Sequence, residues 1–516
     1  MSRLVRLDVW FLTLSAALAA SAARADVKLP AIISDHMVLQ ADKGAPIWGW
    51  ADAGEEVSVT LGSQSQATKA AADGKWMVKF DKLKTSAQPQ TLAVRGKNTL
   101  TVNDVLVGEV WLGSGQSNMA MAVRSSMNYE QEQAAAKLPQ VRMFTVERSS
   151  QPTPQFDCKG KWELTTPETV GQFSATLYFF GRDLYNELKV PTGLINSSWG
   201  GTAIEAWISL DAQSKLAEYP IIAEAWTTAD AQPWDQAKMD AIYQQQLAKW
   251  KETAKQAKAA GKSAPRAPRP PVEPRLQQNH PANLYNGMIS SILPYGIRGA
   301  VWYQGEGNSA KPFNYLYGLQ LRTLINDWRT RWGDDFAFAW VQLPDYRAPQ
   351  KEPVEPSTWA IIREQMLNTL SVPNTGMAIT LGLGEENDIH PKNKQGVGQR
   401  LALWALAKVY GRDGAASGPL PAHSRVHGSE IIVNFRDADE GLKAKDGKLR
   451  GFAIAGADKK FVWADARIDG SSVIVSSDMV PQPVAVRYAW ADNPVWSLEN
   501  ADGLPATPFR TDDWKP

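Results

Sequence analysis

Ser117 stands in GSGQSNM (residues 113–119), directly after the apolar run VLVGEVWL. A chain that leaves a strand through glycines and then presents a serine makes either a tight turn or an activated nucleophile. A serine hydroxyl is a poor nucleophile at its own pKa and needs an imidazole to take its proton. The chain holds five histidines, and only His390, in GEENDIHPKNKQ, follows an apolar strand-like run of the central region. Asp388 lies two residues before it. In an extended segment positions i and i+2 face the same side, and Pro391 biases His390 toward the extended region, so the Asp388 carboxylate could reach the imidazole and fix its tautomer. Two structural alternatives stand beside this reading: Asp388 caps a helix beginning near Pro391, and His390 is a plain helix-start residue. Acyl transfer also needs donors for an oxyanion, usually backbone N–H groups in glycine turns plus a side-chain amide. SSWGGT, with Gly200 and Gly201, and WYQGEGN, with Gln304, offer these at two further strand ends. Paired glycines after a strand also serve close packing alone.

The elements that must position these residues are legible as patterns. From Val105 to about Tyr410, apolar strand-like runs (VLVGEVWLG, VRMFTV, GLINSSW, GAVWYQG, FAFAWVQL, GMAITLGLG) alternate with helical stretches such as FSATLYFFGRDLYNEL and YLYGLQLRTLINDWRTRW. Leu321, Leu324, Ile325 and Trp328 fall on one helical face. Such alternation predicts an α/β domain, a parallel sheet covered by helices on both sides. Ser117 and His390 both follow carboxyl ends of predicted strands, the edge where open parallel sheets bind ligands. Residues 26–104 and 411–516 read instead as short alternating strands broken by turns, two β modules flanking residues 105–410. Residues 211–280 interrupt the central rhythm with an Ala-, Lys- and Gln-rich helical insertion and the proline-rich connector SAPRAPRPPVEP.

Composition bounds the function classes. The 516 residues are 44% apolar and 21% charged, with 55 basic and 54 acidic residues and a formal charge of +1. This balance gives no reason to expect nucleic acid or an anionic membrane as partner. Residues 1–25 have the pattern of an export signal, with Arg3 and Arg6 before VWFLTLSAALAA and cleavage expected after Ala25. The apolar run is shorter than the roughly 20 residues a spanning helix needs. The expected location is therefore periplasmic or secreted. Cys158 is the one cysteine, so no intrachain disulfide forms, and no nearby histidine equips it for catalysis.

Taken together and in this order, GQSNM, SSWGGT, WYQGEGN and DIHP resemble the blocks of the SGNH hydrolase superfamily, in the branch of sialate O-acetylesterases and related carbohydrate acetylesterases. DHMVLQ near the N-terminus, and RYAWADNP and GLPATPFR near the C-terminus, are similar to segments of the same family. The resemblance implies a flavodoxin-like three-layer α/β/α domain, here flanked by β-sandwich-like modules. It implies Ser117 as nucleophile and His390 as general base, with Ser117 N–H, a glycine of the Gly200–Gly201 pair and the Gln304 side chain as the oxyanion hole. Two positions depart from the superfamily pattern: Gln304 stands where Asn is usual, and the acid and base are two residues apart instead of three. Glu306 is the alternative acid, and a Ser–His dyad is the other option.

The expected function is hydrolysis of acetyl esters on sugars, with an O-acetylated sugar as partner and no metal or organic cofactor. Sialic acid esters are the leading substrates and acetylated xylan or xyloglucan the competitors; Arg124 or Arg182 lining the pocket favours the first, an open aromatic cleft the second. A rival from another class is a non-catalytic glycan-binding protein on an esterase fold, against which the complete set Ser117, His390 and Asp388 argues. Most of the 21 tryptophans are expected in the core, and Trp199, beside the glycine turn, is the one expected near the substrate.

Overall fold

A computed structural model describes residues 26–514; the expected export signal and its cleavage site lie outside the described residues. The organising element is a single strand of 17 residues, β1 (Thr99–Gly115), whose two halves have different surroundings. Its first half is exposed on alternate residues and pairs antiparallel with Ser86–Arg95, whereas every residue from Val105 to Gly115 is buried. Burial on both faces is what a central strand of a helix-covered parallel sheet experiences, and it explains the unbroken apolar run there. The expected boundary at residue 104 thus falls inside one strand. Asp104 sits at that point with φ 54°, and its carboxylate accepts hydrogen bonds from Arg142 at 2.6 Å and His36 at 2.7 Å.

Six further strands complete the central sheet: β2 (Leu138–Thr145), β3 (Trp162–Thr165), β4 (Thr192–Ser198), β5 (Gly299–Tyr303), β6 (Ala337–Val341) and β7 (Thr375–Ala378). Their order is β7-β6-β5-β1-β4-β2-β3, parallel throughout except for the antiparallel edge pair β2 and β3. Alternate strand residues point to opposite layers. Ala300 and Trp302 of β5 and Phe338 and Trp340 of β6 pack with α2 (Phe313–Trp332) and α3 (Thr358–Thr369). On the opposite face Val301, Tyr303, Ala339 and Val341 pack with α1 (Ala175–Leu188) and α4 (Lys394–Lys408). The predicted helices over 173–188 and 315–332 are therefore present, and the sheet is helix-covered on both sides.

Of the N-terminal strands, Val38–Gln40, Glu56–Leu61, Gln64–Lys69 and Ser86–Arg95 are joined to β1, whereas Gly44–Trp50 and Lys75–Lys82 form a separate two-stranded sheet; the C-terminal region forms two four-stranded sheets and a two-stranded one. The insertion contains Tyr219–Asp230 and a 24-residue helix, Gln236–Ala259, none of whose residues is buried. Burial and, secondarily, the Asp157 charge push the Cys158 thiol up to about 12, so it packs as a neutral group.

Helix α4, which follows the His390 loop, lies directly on α1. A Cβ added at Gly398 would stand 2.6 Å from Phe179 Cβ and 2.7 Å from the Phe180 backbone nitrogen. Gly398→Ala is expected to lower stability by about 1–3 kcal/mol through overpacking, measured as a shift in urea midpoint; an unchanged midpoint would contradict this close approach.

Candidate active site

The register of the sheet sets the site. Gly115 of β1 is level with Ser198 of β4 on one side and Tyr303 of β5 on the other, so three strands end side by side. Gly115 has φ 135°, and a side chain there would place Cβ 2.2 Å from the Tyr303 carbonyl oxygen. Only glycine allows both the turn and the contact. Gln116 then anchors the exit: its N–H donates to Tyr303 O at 2.9 Å, and its side-chain oxygen accepts from Gly307 N–H at 3.1 Å. Ser117 opens the short helix Ser117–Ala120, so its N–H has no intrahelical acceptor.

His390 comes to Ser117 from the loop after β7, with Nε2 2.8 Å from Ser117 Oγ. The helix after it begins at Lys394, capped by Asn393, whose side chain accepts from Gly396 N–H at 2.9 Å. Asp388 is thus not the cap, and His390 precedes the helix. Asp388 Oδ1 instead accepts from the backbone N–H of His390 at 2.8 Å and stands 3.7 Å from the ring Nδ1. That is close enough for charge to act but too long for a hydrogen bond to the ring. Burial holds the imidazole below the usual histidine value; the Asp388 charge opposes this and the Lys394 charge adds to it. A base with a lowered pKa is neutral, and ready to accept the serine proton, at neutral pH.

Around the pair is an open depression of about 430 Å³ lined by Ser117, Gly200, Asp388, His390, Arg148 and Lys392, among others. Gly200 faces the nucleophile, since a Cβ there would stand 3.2 Å from that of Ser117. Gly201 instead makes the turn, exposed and with φ 73°. Gln304 departs from expectation. It is fully buried, and its amide donates both N–H groups inward, to Thr202 O at 3.1 Å and Asn308 Oδ1 at 2.7 Å. It therefore holds the turn that carries Gly200, and both its N–H groups are committed away from the depression. Trp199 does not line the depression; it packs on the core with the Arg148 guanidinium 6.0 Å from its ring. Neither arginine weighed in the sequence lines it either: Arg182 is bound by Glu132 at 2.6 Å and Asp183 at 3.0 Å, and Arg124 by Gln172. Arg148 and Lys392 take that place.

Glu306 does not orient the imidazole. Its Oε1 accepts from Asn118 Nδ2 at 2.5 Å, and its Oε2 is buried without a hydrogen-bond partner. Burial pushes its carboxyl up, against the hydrogen bond from Asn118 and the charge of Lys394. Lys394 is fully buried behind the pair, donating to Asn118 Oδ1 and to Pro391 O, each at 2.7 Å. Its amine is pushed down to about 7 by burial, against the charges of Glu306, Glu385 and Asp388. Arg148 carried no signal in spacing; Asn118 lies inside the GQSNM block, and Lys392 and Lys394 lie two and four residues after His390, without their roles being marked by residue type.

Two outcomes follow from the His390 geometry. With His390 as the base, catalysis needs the neutral ring, so kcat/KM is expected to fall as pH drops through the lowered His390 pKa, with the acid limb below the ~6.5 of a free imidazole; a pH–rate profile with its limb above that value would contradict this role for the half-buried ring. Asp388→Asn is expected to lower kcat about ten- to a hundredfold, less than the ~10⁴ seen where the carboxylate bonds the ring directly.

Comparison with known proteins shows the family to which the chain belongs. Residues 275–407, from the end of the insertion through β5 to α4, match the family described as carbohydrate esterase, sialic acid-specific acetylesterase. The chain is 30% identical to the sialate O-acetylesterase of Rattus norvegicus over 534 residues, covering 92% of this chain and 93% of that protein. The human sialate O-acetylesterase is also 30% identical, with 92% and 91% covered. The crystal structure of a carbohydrate acetylesterase from Xanthomonas citri superposes with a TM-score of 0.79 at 34% identity, covering 95% of this chain and all of that one. The chain belongs to the sialate O-acetylesterase family of carbohydrate esterases.

Proposed function

We propose that this chain is an exported carbohydrate O-acetylesterase acting through Ser117, His390 and Asp388. The observation that carries the reading is the 2.8 Å contact between Ser117 Oγ and His390 Nε2 at the carboxyl ends of a parallel sheet. Ser117 Oγ attacks the acetyl carbonyl carbon as its proton passes to His390 Nε2. The oxyanion is met by the Ser117 and Gly200 N–H groups. Collapse breaks the bond to the sugar oxygen, which takes the proton from His390, leaving an acetyl-serine. Water, deprotonated by His390, then releases acetate and restores Ser117. The Asp388 charge favours the imidazolium that forms in each half. The reading includes an SGNH-hydrolase domain over 105–410 between β-sandwich-like modules at 26–104 and 411–516. Export rests on the basic, apolar and small-residue pattern of residues 1–25.

The favoured substrate is an O-acetylated sialic acid. Arg148 and Lys392 line the same depression as the nucleophile, and two cations beside a sugar site suit a substrate that carries a carboxylate. A second reading, a neutral plant polysaccharide such as acetylated xylan or xyloglucan, draws on the shallow, open form of the depression. The Ser117–His390 contact speaks against a purely glycan-binding protein, which needs no activated serine.

Acetate release from an O-acetylated sialic acid and from acetylated xyloglucan oligosaccharides, side by side, tests the proposal. Ser117→Ala is expected to lower kcat by about 10³ or more with the fold intact, and Arg148→Ala to raise KM for the sialic acid ester about tenfold while leaving a neutral acetyl ester unaffected. Near-normal turnover by Ser117→Ala would overturn the mechanism; release from the neutral oligosaccharides alone would overturn the sialate reading.

A further inference from the structure

Both motif residues of the proposed mechanism are flanked by bonds from one buried polar cluster. Asn118, the residue after the nucleophile, donates from Nδ2 to Ile389 O at 3.0 Å and to Glu306 Oε1 at 2.5 Å. Its Oδ1 accepts from Lys394 Nζ at 2.7 Å, and the same ammonium donates to Pro391 O at 2.7 Å. The carbonyls on either side of His390 are therefore held by one assembly, the first from the Ser117 side and the second from α4. The Asn118 amide stands between the ammonium and the carboxylate of Glu306, its oxygen toward the cation and its nitrogen toward the anion.

Packing alone does not account for a lysine here. Lys394 is fully buried at the first residue of α4, the end of a helix dipole that disfavours a cation. Burying an ammonium costs several kcal/mol unless it is paired and hydrogen-bonded. An apolar residue would avoid that cost but could hold neither Asn118 nor the Pro391 carbonyl. The ammonium also lies 5.4 Å from the centroid of the Tyr303 ring, at the end of the strand against which the nucleophile turn is pinned.

We infer that Lys394 is a positioning residue: through Asn118 and Pro391 O it clamps the nucleophile turn to the base loop and keeps Ser117 Oγ within hydrogen-bond reach of His390 Nε2. This rests on the Ser117–His390 reading of the reaction. The clamp acts on two segments about 270 residues apart in sequence, which no local backbone preference could align. Its charge, carried below its lowered pKa of about 7 and so across the acid limb, has a second effect, since a cation near the imidazole favours the neutral ring. The charged groups acting on His390 are Asp388, which favours protonation, and Lys394, which opposes it; Arg148 and Lys392 line the rim. Those acting on Lys394 are Glu306, Glu385 and Asp388.

The test is steady-state kinetics and pH–rate profiles on 4-nitrophenyl acetate for the wild type, Lys394→Met, Asn118→Ala and the double variant, with Ser117→Ala as blank and thermal melts as a check of folding. Misplacing a reacting group by about an ångström can cost ~10² in rate. Lys394→Met is therefore expected to lose about 10² in kcat with KM within about twofold, and to move its acid limb to higher pH because a cation has left the imidazole. Asn118→Ala keeps that cation, so its kcat falls by at least about tenfold with the limb unmoved. The double variant loses less than the product of the single losses, as coupled sites do. A folded Lys394→Met with kcat within threefold of wild type, or with its acid limb unshifted, overturns the inference. If Lys394→Met does not fold, retention of wild-type kcat by Asn118→Ala overturns it alone. A dead Ser117→Ala beside a normal Lys394→Met sinks only the clamp; an active Ser117→Ala sinks the mechanism beneath it.

Discussion

The constraint on which the rest depends is the level ending of three parallel strands at Gly115. Parallel register aligns Ser198, Gly115 and Tyr303 in one row, so the loops that follow are forced to emerge as neighbours. Ser117, Gly200 and the Gln304–Glu306 turn are close in space because their strands are hydrogen-bonded to one another. The close approach of Gly115 to the Tyr303 carbonyl is the sharpest expression of this. Any other residue would push β1 and β5 apart or flatten the turn, and the serine would lose its place at the crevice.

The base is not given by that row. It arrives on a loop two strands away, which has isolated bridges at Glu385 and a bond from Met127 N–H to Lys392 O but no continuous ladder. What replaces the ladder is polar: Asp388 bonding the His390 N–H, Asn118 on Ile389 O, Lys394 on Pro391 O, and a helix start fixed by Asn393. Asn118 and Lys394 are buried, which their mutual hydrogen bond and the nearby Glu306 carboxylate permit, whereas Asp388 and His390 stay about half exposed. Partial burial of His390 beside this cluster, with the Lys394 charge behind it, holds the imidazole below its usual value against the Asp388 charge.

Much of this was legible in the sequence because it rests on pattern. The six parallel strands follow apolar runs, and α1 and α2 follow helical periodicity. Ser117 and His390 follow motifs placed after strands. Other features depend on tertiary context. Trp162–Thr165 is a short edge strand with two buried residues, too little alternation to read. Helices α3 and α4 carry buried Arg363 and Lys394, which blur their apolar faces. Gln304 was expected at the oxyanion because its position in the motif suggests a donor; the side chain points inward because Thr202 O and Asn308 need partners in a dry interior. Arg148 lies in ERSSQP, a stretch without periodicity, and only the fold returns it to the serine.

In the proposed mechanism, the division of labour at the oxyanion follows from where Gln304 goes. An amide donor committed to Thr202 and Asn308 cannot also follow a developing charge, whereas the Ser117 and Gly200 N–H groups lie on turns braced from below by Gln116 and Gln304. Preorganised backbone donors need no reorganisation as charge develops, which is where such a site gains its advantage over water. The buried amides thus act one step removed from the reaction, and rigidity of the turns takes the place of a third donor. An open depression is compatible with this arrangement: the acetyl group needs only a small, well-fixed cradle, and the sugar can remain at the charged rim formed by Arg148 and Lys392.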